Sequence, residues 1–159
     1  MKWDKIISEE PNDHWCFLNS KDKIVLDLGC GKFYSSISTA EWFVNNGATM
    51  VTGVDLSNIG YEADNFIMKI KNIESTDDLD FLLRLTTPQI IKCDIEGAEI
   101  HFDKIDELPY TEQIAIEYHS EFLKELVERK VMEWGFTNKK LYQIFDEDIN
   151  RIGVIFAWK

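Results

Sequence analysis

Asp94-Ile95-Glu96-Gly97-Ala98-Glu99 sets three carboxylates around one glycine, at the end of an apolar run that contains Ile90 and Ile91. Short apolar runs of this kind are the buried strands of parallel sheets, and ligands of such sheets bind outside the strands' carboxyl ends. The acids therefore stand where chemistry would occur. Asp94 and Glu96 are candidate general bases, and so is His119, just after a later strand-like run, Gln113–Tyr118. His119 has the intrinsic pKa best matched to proton transfer near neutrality. Each has a structural alternative. His119 falls at the N-cap region of the next helix, where its ring would face solvent. Glu96 would accept from backbone amides at Gly97. Glu99 is expected in the first turn of a short helix, where acids favour the macrodipole. Together with Glu117, the residues Asp94, Glu96 and His119 also offer oxygen and nitrogen ligands for Mg²⁺ or Mn²⁺. The spacing is not a metal signature, so a divalent metal ranks below a metal-free site.

Two other apolar runs end in the same kind of signal. Val25-Leu26-Asp27-Leu28 turns at Gly29-Cys30-Gly31, and Val51-Thr52-Gly53-Val54 ends at Asp55-Leu56-Ser57. Glycines let the backbone bend sharply and approach a ligand closely. The dinucleotide pattern needs a third glycine three residues after the second; that position is Tyr34. NAD and FAD are demoted accordingly, and the absence of Gly-Lys-Ser/Thr excludes a P-loop. Asp55 has the placement of a carboxylate that accepts hydrogen bonds from ribose hydroxyls; its plainer role is a turn aspartate before Ser57. Three such ends in this order point to a nucleotide-type cofactor.

The elements that must hold these ends alternate. Strands are expected at 23–28, 50–55, 66–71, 90–95 and 113–118. Helices are expected over 35–46, from Ser75 to before Pro88, around 99–108, and from about Phe122 to Trp134 with Gly135 as its stop. The connection 57–65 has room for one helical turn. The end differs: 140–145 and 152–158 are both strand-like, with Asp146–Asn150 as the turn between them, and form an antiparallel pair. The expected fold is α/β, a mostly parallel seven-stranded sheet with helices on both faces and a C-terminal antiparallel hairpin. The first and fourth strands should be adjacent at its centre. Residues 1–22 are read as an N-terminal arm or short helix, and 23–159 as the single domain.

Composition narrows the partners. A formal net charge of −12 argues against a nucleic-acid backbone or an anionic membrane surface as partner. No run approaches the length of a membrane span, and the first residues lack a signal peptide's apolar core. Cys16, Cys30 and Cys93 show no paired metal spacing, and an odd count suits a reducing compartment. A cytoplasmic location is expected.

At this point the chain resembles a known family. Val25-Leu26-Asp27-Leu28-Gly29-Cys30-Gly31 looks like motif I of class I S-adenosylmethionine-dependent methyltransferases, and Gly53-Val54-Asp55-Leu56-Ser57 like their acidic second-strand motif. Ile91-Lys92-Cys93-Asp94-Ile95-Glu96-Gly97-Ala98-Glu99 is close to the K-x-D-x-E-G-x-E signature of the FkbM type. Ile116-Glu117-Tyr118-His119 and Trp134-Gly135-Phe136 match weaker features. The resemblance implies a Rossmann-like three-layer sandwich and S-adenosylmethionine as cofactor. It assigns Asp27, Gly29, Cys30, Gly31, Asp55, Leu56 and Asp94 to the cofactor, with Asp27 orienting the methionine amino end. Asp94, Glu96 and His119 are its candidate catalytic residues. The implied partner is a small-molecule acceptor, a sugar or glycosylated metabolite methylated on a hydroxyl. Motif I often carries a glycine where this chain has Phe33. That departure supports the alternative, a methyltransferase-like binding or scaffold domain without turnover. A nucleotide-dependent oxidoreductase is the third reading, opposed by Tyr34.

Overall fold

The computed structural model describes residues 4–7, 17–31, 37–144 and 152–159. Eight strands form one sheet: β1 (Asp4–Ile7), β2 (Ile24–Leu28), β3 (Met50–Asp55), β4 (Phe66–Ile70), β5 (Ile90–Cys93), β6 (Gln113–Tyr118), β7 (Asn138–Ile144) and β8 (Ile152–Trp158). Their order across the sheet is β1-β7-β8-β6-β5-β2-β3-β4. Only β8 runs antiparallel to its neighbours, β6 and β7. The seven expected strands and the terminal hairpin are all present. The eighth comes from the segment expected as an arm or short helix: β1 adds to the sheet edge in parallel with β7. The remainder of that segment before Phe17, and the hairpin turn at Asp146–Asn150, lie outside the described residues.

Helix starts follow local chemistry. Ser38, Ser75 and Ser120 each cap a helix by accepting the amide three residues on, from Glu41, Asp78 and Leu123 respectively. These caps begin α1 (Thr39–Asn45), α2 (Thr76–Thr86) and α3 (Glu121–Glu133). The first helix thus starts four residues later than the expected 35–46, with 32–36 outside the described residues. A 3₁₀ helix, Ala98–Lys104, replaces the helix expected over 99–108. The connection 56–65 holds no helical turn.

Two apolar clusters flank the sheet, and strand alternation sorts residues between them. Leu26, Leu28, Val54, Ile91, Cys93, Ile114 and Ile116 face α2, the 3₁₀ helix and α3. Val25, Val51, Ile90, Ala115 and Val154 face α1 and the 17–20 segment. Helices therefore cover both faces, as expected. Among the described residues no helix is long and apolar enough to cross a membrane.

The seven-residue α1 is too short to be stable alone and depends on burial of Ala40 and Phe43. Phe43 is fully buried and meets Trp42 edge-on at 5.2 Å. Phe43→Ala should cost about 3–5 kcal/mol, read as a lowered urea midpoint; an unchanged midpoint would show that α1 is not anchored there.

Candidate functional site at the carboxyl ends of the central strands

Register assembles the site. Asp27 on β2 is flanked by Gly53 of β3 and Lys92 of β5, and Lys92 by Ala115 of β6. These four side-chain positions share the α1 face. Two residues further along each chain, on the same face, come Asp55, Gly29, Asp94 and Glu117. The first row is buried and the second forms the rim at the strands' carboxyl ends. β2 and β5 are adjacent at the centre, with the strand order running outward from them in both directions. Such a switch point is where ligands of open α/β sheets bind. Among the described residues a groove of about 750 Å³ also lies between α2 and the segment Lys104–Thr111. It runs along α2 from Thr76 to Thr87, on the face of the sheet opposite α1, and includes none of the rim residues.

The buried row holds an ion pair. Lys92 Nζ lies 3.3 Å from Asp27 Oδ1, with Lys92 1% and Asp27 0% exposed. Thr39 Oγ1, from the first residue of α1, donates to Asp27 Oδ2 at 2.6 Å. Lys92 also donates to the carbonyls of Gly29 and, at 3.4 Å, of Leu28. Burial pushes the Asp27 carboxyl up, against the opposing pull of Lys92 and Thr39. Burial depresses the Lys92 ammonium, but Asp27 and then Asp94 outweigh it, and its pKa is held above the usual lysine range. Asp27 is therefore sealed beneath the turn, and its carboxylate fastens the turn to β5 and α1. From sequence Lys92 stands only as the K of the K-x-D-x-E-G-x-E signature, without a role, and Thr39 is not singled out. The available signal was a lysine inside an otherwise apolar strand, at the register position of an aspartate next door.

The turn admits no side chain at Gly29 and is tight at Gly31. Gly29 has φ +75°, and a Cβ there would lie 1.7 Å from the Asp94 carbonyl oxygen. A Cβ on Gly31 would lie 2.9 Å from Asp55 Oδ2. The amides of Gly29 and Cys30 both donate to the Val54 carbonyl, at 2.8 and 3.2 Å. The Cys30 thiol is fully buried against Met68, 3.9 Å away. Cys30, expected at the cofactor, thus has its amide and thiol engaged within the domain. Asp55 Oδ1 takes a long 3.4 Å bond from the Ser57 amide, so the turn role and the rim position coexist. Leu56 beside it is 71% exposed.

A second group forms where β5 and β6 end. The strand ends at Cys93, two residues before the expected Ile95, because Glu96 (φ +48°) and Gly97 (φ +104°) turn the chain back. Glu99 is fully buried and accepts from the amides of Ile95 at 3.1 Å and Gly97 at 2.6 Å. It is Glu99, not Glu96, that holds this turn. Its other contact is His119 Nδ1, 3.5 Å from Oε1. His119 Nε2 faces Asp94 Oδ1 at 3.8 Å and Glu117 Oε1 at 3.7 Å. The ring is 24% exposed and does not point freely into solvent. Of the expected trio, Asp94 and His119 meet. Glu96 is exposed and stays outside, and Glu117 takes its place. Burial and the neighbouring Asp94 push Glu117 up to about 7. Burial also raises Asp94, against Lys92 and His119. Contact with Glu99 raises His119 against the effect of burial, with Glu117 and Asp94 adding to the rise.

No family model matches the chain, and no curated protein matches it. Solved structures do. A crystal structure described as an S-adenosylmethionine-dependent methyltransferase from Mesorhizobium loti superposes with a TM-score of 0.59 at 10% identity, over 96% of this chain and 98% of that one. This is the fold of S-adenosylmethionine-dependent methyltransferases. MycE methyltransferase from the mycinamycin biosynthetic pathway, in complex with Mg and S-adenosylhomocysteine, gives 0.59 at 13% identity, over 93% of this chain and 44% of its own. A putative hemolysin from Streptococcus thermophilus gives 0.57 at 14% identity, and this chain spans 63% of its length and 93% of itself. At such identities the shared property is the methyltransferase fold.

Lys92→Met should cost about 3–5 kcal/mol by leaving Asp27 buried without its cation. Lys92→Met with Asp27→Asn should recover part of the loss, because no charge is then stranded. Urea denaturation of the single and double variants checks this; equal losses would remove the ion pair as the site's support.

Proposed function

We propose that this chain is an S-adenosylmethionine-dependent methyltransferase of the class I, Rossmann-like, FkbM type, acting on a hydroxyl of a sugar or glycosylated small molecule. One observation carries the reading: the rim row Asp55, Gly29–Gly31, Asp94 and Glu117 sets a glycine turn, its Cys30 thiol buried, between a ribose-type carboxylate and an acid–imidazole group. The residues fit the cofactor. The missing Cβ at Gly31 keeps the space over Asp55 open to a ribose diol. The exposed Leu56 offers an apolar surface for the face of a base. Asp27 and Lys92 keep the turn in place beneath it. The unpaired buried thiols Cys30 and Cys93 are in keeping with a reducing, cytoplasmic location.

The cofactor supplies a methyl group on a sulfonium, transferred in line to the acceptor oxygen with S-adenosylhomocysteine as the other product. The chain's first task is alignment, which by itself supplies much of the acceleration. Its second is to receive the acceptor's proton, and the group Asp94, Glu117 and His119 stands beside the turn for that task. Glu99 fixes the imidazole from behind. Glu96 contributes to this edge only as an exposed acid. MycE has also been seen with Mg, S-adenosylhomocysteine and mycinamycin VI together, which supports a small-molecule acceptor over a macromolecule. Domain-only binding without turnover is the alternative, and the assembled Asp94–Glu117–His119 group speaks against it.

Isothermal titration calorimetry with S-adenosylhomocysteine tests the cofactor half. Asp55→Ala should weaken binding about 10- to 100-fold, the worth of hydrogen bonds to a charged acceptor; unchanged affinity would leave Asp55 to the turn alone. His119→Ala should leave that affinity within about threefold while lowering turnover by 10²-fold or more, roughly the share that proton transfer supplies. Turnover unaffected by the substitution would return the reaction to alignment alone.

A further inference from the structure

We infer that Asp94, Glu117 and His119 form a binding site for one divalent cation of the Mn²⁺ or Mg²⁺ class, with Glu99 orienting the histidine.

The donor atoms converge without bonding one another. One ligand atom from each residue lies within 4.8 Å of the other two. His119 Nε2 stands 3.8 Å from Asp94 Oδ1 and 3.7 Å from Glu117 Oε1. Both distances exceed the roughly 3.2 Å limit of a good N–H···O bond. They match two ligands of one ion, since bonds of about 2.1 Å place neighbouring ligand atoms ~3–4 Å apart.

The surroundings are those of a held ligand. A metal-bound imidazole generally offers its other nitrogen to a carboxylate, which fixes the ring. Glu99 Oε1 faces Nδ1 at 3.5 Å, beyond a good hydrogen bond but on the side such a carboxylate takes, and Glu99 is itself fully buried, clamped by the amides of Ile95 and Gly97. This clamp leaves Nε2 directed at the two acids. The charge balance agrees. Asp94, Glu117 and Glu99 crowd one imidazole, while the nearby Lys92 is engaged by Asp27 and the turn carbonyls. A dication offsets that excess of negative charge.

The three ligand residues remain partly exposed, at 30%, 14% and 24% for Asp94, Glu117 and His119. Coordination positions stay open toward the rim, as in sites that accept a substrate oxygen. Two carboxylates and one imidazole suit Mn²⁺ better than Ca²⁺, and Mg²⁺ is the all-oxygen-preferring competitor. For its chemistry the inference rests on the proposed methyl transfer: a cation here would lower the pKa of a hydroxyl bound to it, so that the proton would pass to solvent while His119 Nε2 serves as a ligand instead of a base. For its existence it does not.

Mn²⁺ is the probe. The full chain, stripped with chelator, should bind one Mn²⁺ by electron paramagnetic resonance titration, with pulsed spectra showing a directly coordinated imidazole nitrogen. Glu117→Gln and His119→Ala should each weaken binding at least tenfold, and His119→Ala should abolish the nitrogen signal. Glu99→Gln should weaken binding about 10- to 100-fold while keeping the nitrogen signal, as a positioning residue does. If any variant fails to fold by circular dichroism, the wild-type nitrogen signal and Asp94→Asn decide the matter. No binding at millimolar Mn²⁺, or binding without a nitrogen signal, overturns the inference. S-adenosylhomocysteine calorimetry in chelator separates the two readings: cofactor binding with no Mn²⁺ site removes only the cation, and a Mn²⁺ site with no cofactor binding removes only the methyltransferase.

Discussion

The buried ion pair between Asp27 and Lys92 is the constraint on which the site depends. Two opposite charges sit side by side on adjacent parallel strands at the sheet's centre, both out of water. Neither is tolerable alone in that environment. Together they bind three things at once: β2 to β5, α1 through Thr39, and the Gly29 turn through its carbonyl. The pair therefore sets where the turn stands relative to the acids beyond β5. Apolar residues at both positions would pack the same strands, but they would take away the donor that Lys92 offers to the Gly29 carbonyl.

A second buried charge does comparable work one layer further out. Glu99 closes the turn after β5 through two amides and reaches His119 from there. The two devices flank Asp94. Its backbone carbonyl packs against the Gly29 Cα, and its carboxylate faces His119. Asp94 thus links the proposed cofactor side of the rim to the acid–imidazole side. Substitutions there should disturb both.

The architecture was largely legible because apolar runs and their punctuation are local. Val25–Leu28, Val51–Val54 and Ile90–Ile91 announce buried parallel strands, and serine caps announce the helices. Placing β2 beside β5 followed from the topology such runs imply. The strand β1 was not legible: four residues at a sheet edge gain their structure from pairing with β7, a partner over a hundred residues away. The site was legible by region and less so by residue. Asp94 and His119 were found because acids and histidine at strand ends are conspicuous. Glu99 stands in the first helical turn as expected, but which of Glu96 and Glu99 folds inward was not legible, since it depends on the left-handed turn at Glu96 and Gly97. Lys92 was visible in the K-x-D-x-E-G-x-E signature but its role was not, because its partner is set by register, a non-local property.

On the proposed reading, the Asp27–Lys92 pair holds a cofactor-binding rim at the switch point between β2 and β5. Amide chemical-shift perturbation by S-adenosylhomocysteine tests it most directly. Saturable shifts should concentrate at Gly29–Gly31, Asp55, Leu56 and Asp94, and Lys92→Met should scatter or abolish them even at a temperature where the variant stays folded. Shifts centred on the groove between α2 and Lys104–Thr111, or the same rim shifts in Lys92→Met as in the parent chain, would contradict it.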